Sequence, residues 1–272
     1  MHPSGYDDLT RPPLTRRSLT RLTAEGALWR EVRLLTEVDS TNRVAAEAAR
    51  AGAPEGLVVV AEAQTGGRGR QGRSWSSPPR AGLLVSVLLR PTVEPARWGW
   101  LPLLGGLAVA RAVTAQTGVP VGLKWPNDLL AGPGERKLAG LLAEALPATG
   151  AHGPAVVLGL GLNVTTTAAE LPEGATSLAW EGARSTDRSP LLRGLLRELA
   201  GTYDTWHVDR EPVERAYAEA CLTLGRRVRV EVIGRAPVEG TADGIAADGS
   251  LLVDGVPHSA GDVTHLRHAP RR

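Results

Sequence analysis

Short apolar stretches separated by turn residues run through most of this chain, and their period switches between two and 3.6. Alternation over Glu31 to Val38 predicts a strand. Ser40-Thr41-Asn42 then opens a helix with Ser40 as N-cap and Val44, Ala45, Ala48 and Ala49 as its apolar face, closed by Ala51-Gly52. Leu57 to Glu62 and Leu83 to Leu89 are short apolar runs bounded by turn residues, hence buried strands. Trp98 to Thr117 is apolar nearly all round and predicts a long buried helix. Gly122 to Trp125 predicts a strand ending in the turn signal Pro126-Asn127-Asp128. Leu129 to Ala131 and Arg136 to Glu144 flank Gly132-Pro133-Gly134 as a hairpin, and Ala155 to Val164 is a further strand. Ser189 to Trp206 and Glu211 to Leu222 predict helices.

From Gly225 the texture changes to short alternating strands: Val228 to Val232, Glu239 to Ile245, Ser250 to Val253 and Asp262 to Leu266, with a hairpin turn at Ala247 to Ser250. The pattern predicts an α+β chain. An N-terminal extension (1–28) carries a helical turn near Ser18 to Ala24. A mixed β-sheet domain flanked by helices follows (29–222), then a small C-terminal β-barrel (223–272).

Composition narrows the class only a little. The 272 residues are 42% hydrophobic and 22% charged, ordinary values for a chain with a sizeable core, and the net charge of +2 does not argue for nucleic acid. Six histidines (His2, His152, His207, His258, His265, His268) show no metal-ligand spacing, so no resident metal is expected. The lone cysteine, Cys221, reads as a small core residue and excludes an internal disulfide, which fits a reducing cytoplasm. No apolar run reaches the roughly 18 residues of a membrane span, and no signal-peptide stretch opens the chain. The early arginines Arg11, Arg16, Arg17 and Arg21 read as a weak basic tail. The stretch before Glu31 is too short for a winged helix, so operator binding is not expected.

Candidate chemistry concentrates in Gly66-Gly67-Arg68-Gly69-Arg70-Gln71-Gly72-Arg73-Ser74. Gly67, Gly69 and Gly72 spell G-x-G-x-x-G, but a dinucleotide turn must open into a helix. Here Pro78-Pro79 bars one, and a strand follows. A P-loop fails for the same reason, and no His-Arg-Asp or Asp-Phe-Gly supports a kinase; the chain has no phenylalanine. What remains is a loop of backbone amides and guanidinium groups between two strands, suited to a polyanion beside a carboxylate.

Further segments join this loop: Ser40-Thr41-Asn42, Gln64, Lys124-Trp125-Pro126-Asn127-Asp128, Lys137-Leu138-Ala139-Gly140 and Gly159-Leu160-Gly161-Leu162-Asn163-Val164. Over Thr36 to Val164 this ordered set resembles the biotin–protein ligases, in the form without an N-terminal DNA-binding domain. The resemblance implies a class II synthetase-like catalytic fold of the biotin/lipoate ligase type with an SH3-like C-terminal barrel. It implies biotin and ATP as substrates, with Mg2+ accompanying ATP. The implied reaction joins biotin to AMP, then passes it to one lysine of the biotin carboxyl carrier protein of a biotin-dependent carboxylase such as acetyl-CoA carboxylase. A cytoplasmic monomer or homodimer is implied, with no nucleic acid or membrane partner.

By the same resemblance, Ser40, Thr41, Asn42, Gln64, Arg68, Gly69, Arg70 and Lys137 face biotin. Arg70, Lys124, Asn127, Lys137 and Asn163 face ATP, and Gly67, Gly72, Trp75, Gly140 and Gly161 border the ligands. Arg68, Arg70, Lys137 and Asp128 are the catalytic candidates. The first step brings two anions together, and each charge-assisted hydrogen bond there is worth about 1.5–3 kcal/mol. Deprotonating an acceptor lysine at pH 7 costs about 4.6 kcal/mol, so a carboxylate such as Asp128 suits that task. Asp128 reads equally well as a turn-capping residue. The main alternative is a lipoate or octanoate ligase or transferase; a biotin sensor without ligation and an unrelated nucleic-acid binder are more distant ones.

Overall fold

The computed structural model describes residues 10–19, 22–23, 26–148, 153–232, 234–259 and 261–266. Seven strands form one mixed sheet in the order β1-β2-β3-β7-β6-β5-β4. These are β1 (Glu31–Leu35), β2 (Leu57–Ala61), β3 (Gly82–Leu89), β4 (Val121–Lys124), β5 (Asp128–Ala131), β6 (Arg136–Leu146) and β7 (Ala155–Asn163). Only β1 and β2 pair in parallel. The parallel pair is bridged by helix α1 (Thr41–Arg50), as a parallel connection requires. The remaining neighbours are antiparallel.

β2, β3 and β7 are buried along their whole length, which is why they read as continuous apolar runs rather than alternations. One face packs on α2 (Trp100–Thr117), α3 (Arg188–Val208) and α4 (Glu211–Ala220). The other is covered by α1, whose alanines Ala45, Ala48 and Ala49 meet Val59 and Val157. Gly105 lets α2 come close to the sheet: a Cβ there would lie 2.8 Å from Leu141 Cδ2.

A second, five-stranded antiparallel sheet runs β11-β10-β9-β8-β12, from β8 (Arg227–Glu231), β9 (Val238–Ile245), β10 (Leu251–Val253), β11 (Val256–His258) and β12 (Asp262–His265). β11 has no counterpart in the sequence reading. Its signal was present: Asp254 and Gly255 have φ of 46° and 77°, the left-handed pair of a tight hairpin turn. The two sheets are stapled together by indole N–H bonds, Trp125 Nε1 to Gly249 O (2.9 Å) and Trp100 Nε1 to Ala246 O (3.1 Å).

Other departures are local. β1 ends at Leu35, and Val38 instead makes an isolated bridge to Gln64. The first helical turn spans Arg16–Leu19; Thr20, Arg21 and Ala24 of the expected Ser18 to Ala24 turn lie outside the described residues, as do His2, His152 and His268. The basic-tail expectation is corrected at Arg11. Its guanidinium donates to Glu170 Oε2 (2.6 Å) and to Thr165 O (3.2 Å), and Leu14, Leu19 and Leu22 join the core. Residues 12–14 cover a buried ion pair, Arg188 Nη1 to Glu62 Oε2 at 2.6 Å. Leu14 N–H donates to Glu62, and Arg188 Nη2 donates to Pro12 O. Among the described residues no helix is long and apolar enough to cross a membrane, and Cys221 is a buried free thiol.

Candidate active site

The glycine–arginine loop is a small closed hairpin. Trp75 N–H donates to Gly67 O (2.9 Å), Gly69 N–H to Arg73 O (2.7 Å), and Arg68 bridges Ser74. Gly67 is required at its base, because a Cβ there would sit 2.3 Å from Trp75 O. At its tip Gln71 has φ 55° and Gly72 φ 75°, which turns the chain back toward Arg73. Arg73 is then ion-paired with Asp262 of β12, so the loop is anchored to the second sheet.

Arg70 points inward and donates from Nη1 to Asn127 Oδ1 at 3.3 Å. Asn127 is itself fixed, with Nδ2 donating to Leu141 O (2.8 Å) and its carbonyl accepting from Leu141 N–H (2.9 Å). One residue further on, Asp128 pairs in register with Lys124 on one side and Gly140 on the other. Lys137 Nζ reaches back across the hairpin to Asp128 Oδ1 at 2.6 Å and lies 5.9 Å from the Trp75 ring centroid. Burial lowers the pKa of Lys124; Asp128 opposes this, and Lys137 and Arg73 add to it. Burial likewise lowers Arg70, opposed by Asp128. Arg68, Arg70, Lys124 and Lys137 thus line one cavity around Asp128, while a second carboxylate, Asp262, is paired with Arg73. An incoming anion is favoured there on charge alone.

Ser40 occupies the N-cap position of α1, yet its side chain makes no capping bond, which corrects the role expected from sequence. It is buried and lines the cavity instead. Thr41 N–H donates to Gln64 Oε1 (2.7 Å), and Thr41 Oγ1 lies 2.9 Å from the same oxygen. Asn42 Nδ2 donates to Glu144 Oε2 at 2.6 Å. The two glycines of β7 make room for these groups. A Cβ on Gly159 would lie 2.0 Å from Asn42 Oδ1, and one on Gly161 2.3 Å from Trp75 Cε2.

Ser40, Thr41, Asn42, Gln64, Arg68, Gly69, Arg70, Trp75, Lys124, Asn127, Asp128, Lys137, Gly140 and Gly161 all line one cavity of about 270 Å³. Three expected residues stand elsewhere. Gly67 and Gly72 shape the loop without reaching the cavity wall. Asn163 is buried in the sheet's end, its amide donating to Thr176 O at 3.0 Å. The backbone pairing of Asn163 with Gly82 directs it there. Sequence reasoning missed Arg73, Gly159, Glu144 and the β12 residues Asp262, Val263 and Thr264. Gly159 was visible as an alternate glycine of its motif; nothing in the chain marked Asp262 as a neighbour of the loop.

A mixed sheet thus carries a cationic glycine loop over one cavity, with strand β12 of the small β-domain at its edge. Residues 34–163 match the Biotin/lipoate A/B protein ligase family and residues 223–266 the Biotin protein ligase C terminal domain. The chain belongs to the biotin/lipoate A/B protein ligase family. It is 43% identical over 270 residues to the biotin–[acetyl-CoA-carboxylase] ligase of Mycobacterium tuberculosis, covering 96% of this chain and 98% of that one. To the bifunctional ligase/repressor BirA of Escherichia coli it is 32% identical, over 88% of this chain and 75% of the relative. Among solved structures, the biotin protein ligase of Aquifex aeolicus in complex with biotin and ATP superposes with a TM-score of 0.73 at 29% identity, covering 88% of this chain and all of that one. The Leishmania major enzyme in complex with biotinyl-5-AMP gives 0.58 at 28% identity, covering 88% and 99%.

Proposed function

We propose that the chain is a biotin–[biotin carboxyl carrier protein] ligase. It activates biotin with ATP to biotinyl-5′-AMP and transfers the biotinyl group to one lysine of the carrier protein of a biotin-dependent carboxylase. The observation that carries this reading is the convergence of Arg68, Arg70, Lys124 and Lys137 with Thr41, Asn42 and Gln64 on one cavity wall. Cations at one end suit a carboxylate meeting a phosphate; short polar side chains at the other suit a neutral ring that both donates and accepts.

In the first step a biotin carboxylate oxygen attacks the α-phosphorus of ATP and pyrophosphate leaves. Arg68, Arg70 and Lys137 stabilise the charge that builds on phosphorus, and Lys124 and Asn127 hold the nucleotide phosphates. In the second step the carrier's lysine amine attacks the acyl carbon, AMP leaves, and Asp128 takes or holds the proton released. No enzyme nucleophile is required, because the mixed anhydride is already the activated acyl group. Trp75, held over Gly161, forms one wall for the ligand. Asn163, buried at the end of β7, is the adenine-side contact of ATP on this reading.

Magnesium fits this site as an ion carried by ATP. Among the described residues no group of three or more His, Cys, Asp or Glu side chains is gathered, and the cavity's Asp128 and Asp262 each sit against a cation. Phosphate and water oxygens are the donors such an ion takes with a nucleotide. The domain division that supports this function is an N-terminal segment through residue 28, a catalytic unit 29–222 and a small β-domain from 223. On this reading the protein acts in the cytoplasm as a monomer or homodimer, without nucleic acid.

The test is incubation of the protein with biotin, ATP, magnesium and a carrier domain, followed by mass spectrometry. One biotinyl group on one lysine is expected, with pyrophosphate released only when biotin is present. Lipoate in place of biotin giving the larger product would move the assignment to the lipoate branch of the family.

A further inference from the structure

Ser86 of β3 is fully buried and does not line the cavity. It stands opposite Gly159 in the β3–β7 ladder, where the missing side chain leaves space for Asn42. Ser86 Oγ lies 2.6 Å from Asn42 Oδ1 and 2.7 Å from Thr41 Oγ1, and Thr41 Oγ1 lies 2.9 Å from Gln64 Oε1. Two flanking bonds orient the amides. Asn42 Nδ2 faces the Glu144 carboxylate, so its oxygen faces Ser86; Thr41 N–H donates to Gln64 Oε1, so that oxygen faces Thr41.

The row Asn42–Ser86–Thr41–Gln64 therefore ends in an acceptor on both sides and holds only the two hydroxyl protons of Ser86 and Thr41. Its three oxygen–oxygen contacts need one proton more than it has. Gln64 Oε1 already accepts a backbone N–H, whereas Asn42 Oδ1 takes no other donor among the described residues. Leaving a buried acceptor unmet is the costlier choice, so the Ser86 proton goes to Asn42. The 2.7 Å contact to Ser86 then takes the Thr41 proton in preference to the longer one to Gln64. Gln64 Oε1 is left one donor short, at the wall of the cavity.

We propose that Ser86 is a positioning residue that sets the direction of this hydroxyl row, drawing the Thr41 proton inward so that the Thr41–Gln64 wall accepts an N–H from the ring of the bound acid. Acids whose ring carries N–H donors are thereby selected over acids of similar length whose ring has none. The inference rests on the ligase reading above, with biotin's ureido ring as the donor.

The test is a double-mutant cycle of Ser86→Ala and Thr41→Val, read as the KM values for biotin and ATP in biotin-dependent pyrophosphate release, with thermal midpoints alongside. In Ser86→Ala the Thr41 proton turns to Gln64 and competes with the ligand, so biotin KM rises about tenfold while ATP KM stays within about twofold. In the Thr41→Val background, where there is no proton to redirect, Ser86→Ala adds nothing to biotin KM. Ser86→Cys, close in shape and a weaker donor, gives an intermediate biotin KM and replaces alanine in the cycle should that variant not fold. An unchanged biotin KM, an equal rise for both substrates, or the same rise in the Thr41→Val background overturns the proposal. A wild type with no biotin-dependent pyrophosphate release overturns the ligase reading itself, a result distinct from an active wild type that the Ser86 variants match.

Discussion

Lys137 Nζ stands 2.6 Å from Asp128 Oδ1 across the β5–β6 hairpin, so the cation and the carboxylate proposed for successive steps neutralise each other when no ligand is bound. The pairing keeps Lys137 extended over the cavity beside Gly140, where a Cβ would come within 3.3 Å of its Cε. In the proposed first step an arriving carboxylate or phosphate would compete for Lys137 and free Asp128 for the amine of the second.

Lys137→Ala removes a cation proposed to meet the developing charge. Biotin-dependent pyrophosphate release is expected to fall by about 10²–10³-fold. Lys137→Arg should recover only part of it, because a planar guanidinium does not replace a point charge at this reach. Steady-state assays at saturating biotin and ATP check this.

Asp128→Asn separates the two steps. Adenylate formation is expected to persist, whereas transfer from preformed biotinyl-5′-AMP to the carrier slows by about 10²-fold. Single-turnover transfer reads this directly, and unchanged transfer would remove Asp128 from the chemistry.

Gly161→Ala puts a methyl group 2.3 Å from Trp75 Cε2, and Gly159→Ala one 2.0 Å from Asn42 Oδ1. Each is expected to cost about 1–3 kcal/mol of stability through overpacking. Gly159→Ala should raise biotin KM more than ATP KM, since Asn42 is the side chain displaced. Calorimetry and KM measurements distinguish the two effects.

Arg188→Ala leaves Glu62 buried without its cation and is expected to destabilise the fold by about 3–5 kcal/mol, measured by urea unfolding. Replacing both partners with apolar residues, Arg188→Met with Glu62→Leu, should cost much less, because no lone charge remains in the core.

Acid stability tests the docking of the N-terminal segment. The Arg11 guanidinium holds Glu170 down at about 2, helped by bonds from Thr167, against an ordinary value of 4.5. A depressed carboxylate stabilises the fold above its unfolded pKa, and that contribution is lost as pH falls from 4.5 toward about 2. Arg11→Ala should therefore be less stable than wild type at neutral pH, with the difference shrinking across that window and gone below it. Thermal midpoints measured from pH 7 to pH 2 check this.

Much of the fold was legible in the chain because its signals are local. Apolar runs bounded by glycine and proline marked β2, β3 and β7, and the helices α2 to α4 followed from length and period. The glycine–arginine segment was recognisable as a loop between two strands, because Pro78-Pro79 bars a helix and the apolar run Leu83 to Leu89 follows. What failed was also local in cause: β11 is three residues long, and Ser40 sits where a cap belongs but makes no cap bond and lines the cavity.

By itself the sequence determined the inventory of the site: which cations, which short polar side chains and which glycines the chain offers, and in what order along it. Only the tertiary structure decided which of them meet. Strand pairing set Asp128 opposite Gly140, and the register shift between Leu129 and Leu130 let Lys137 fold back to it. Docking of the second sheet brought Asp262 to Arg73, the β3–β7 register placed Ser86 behind Thr41 and Asn42, and the same ladder turned Asn163 into the core. These contacts join residues far apart in the chain. Their geometry comes from ladder register and sheet-on-sheet packing, which depend on the whole fold and leave no mark in any one segment.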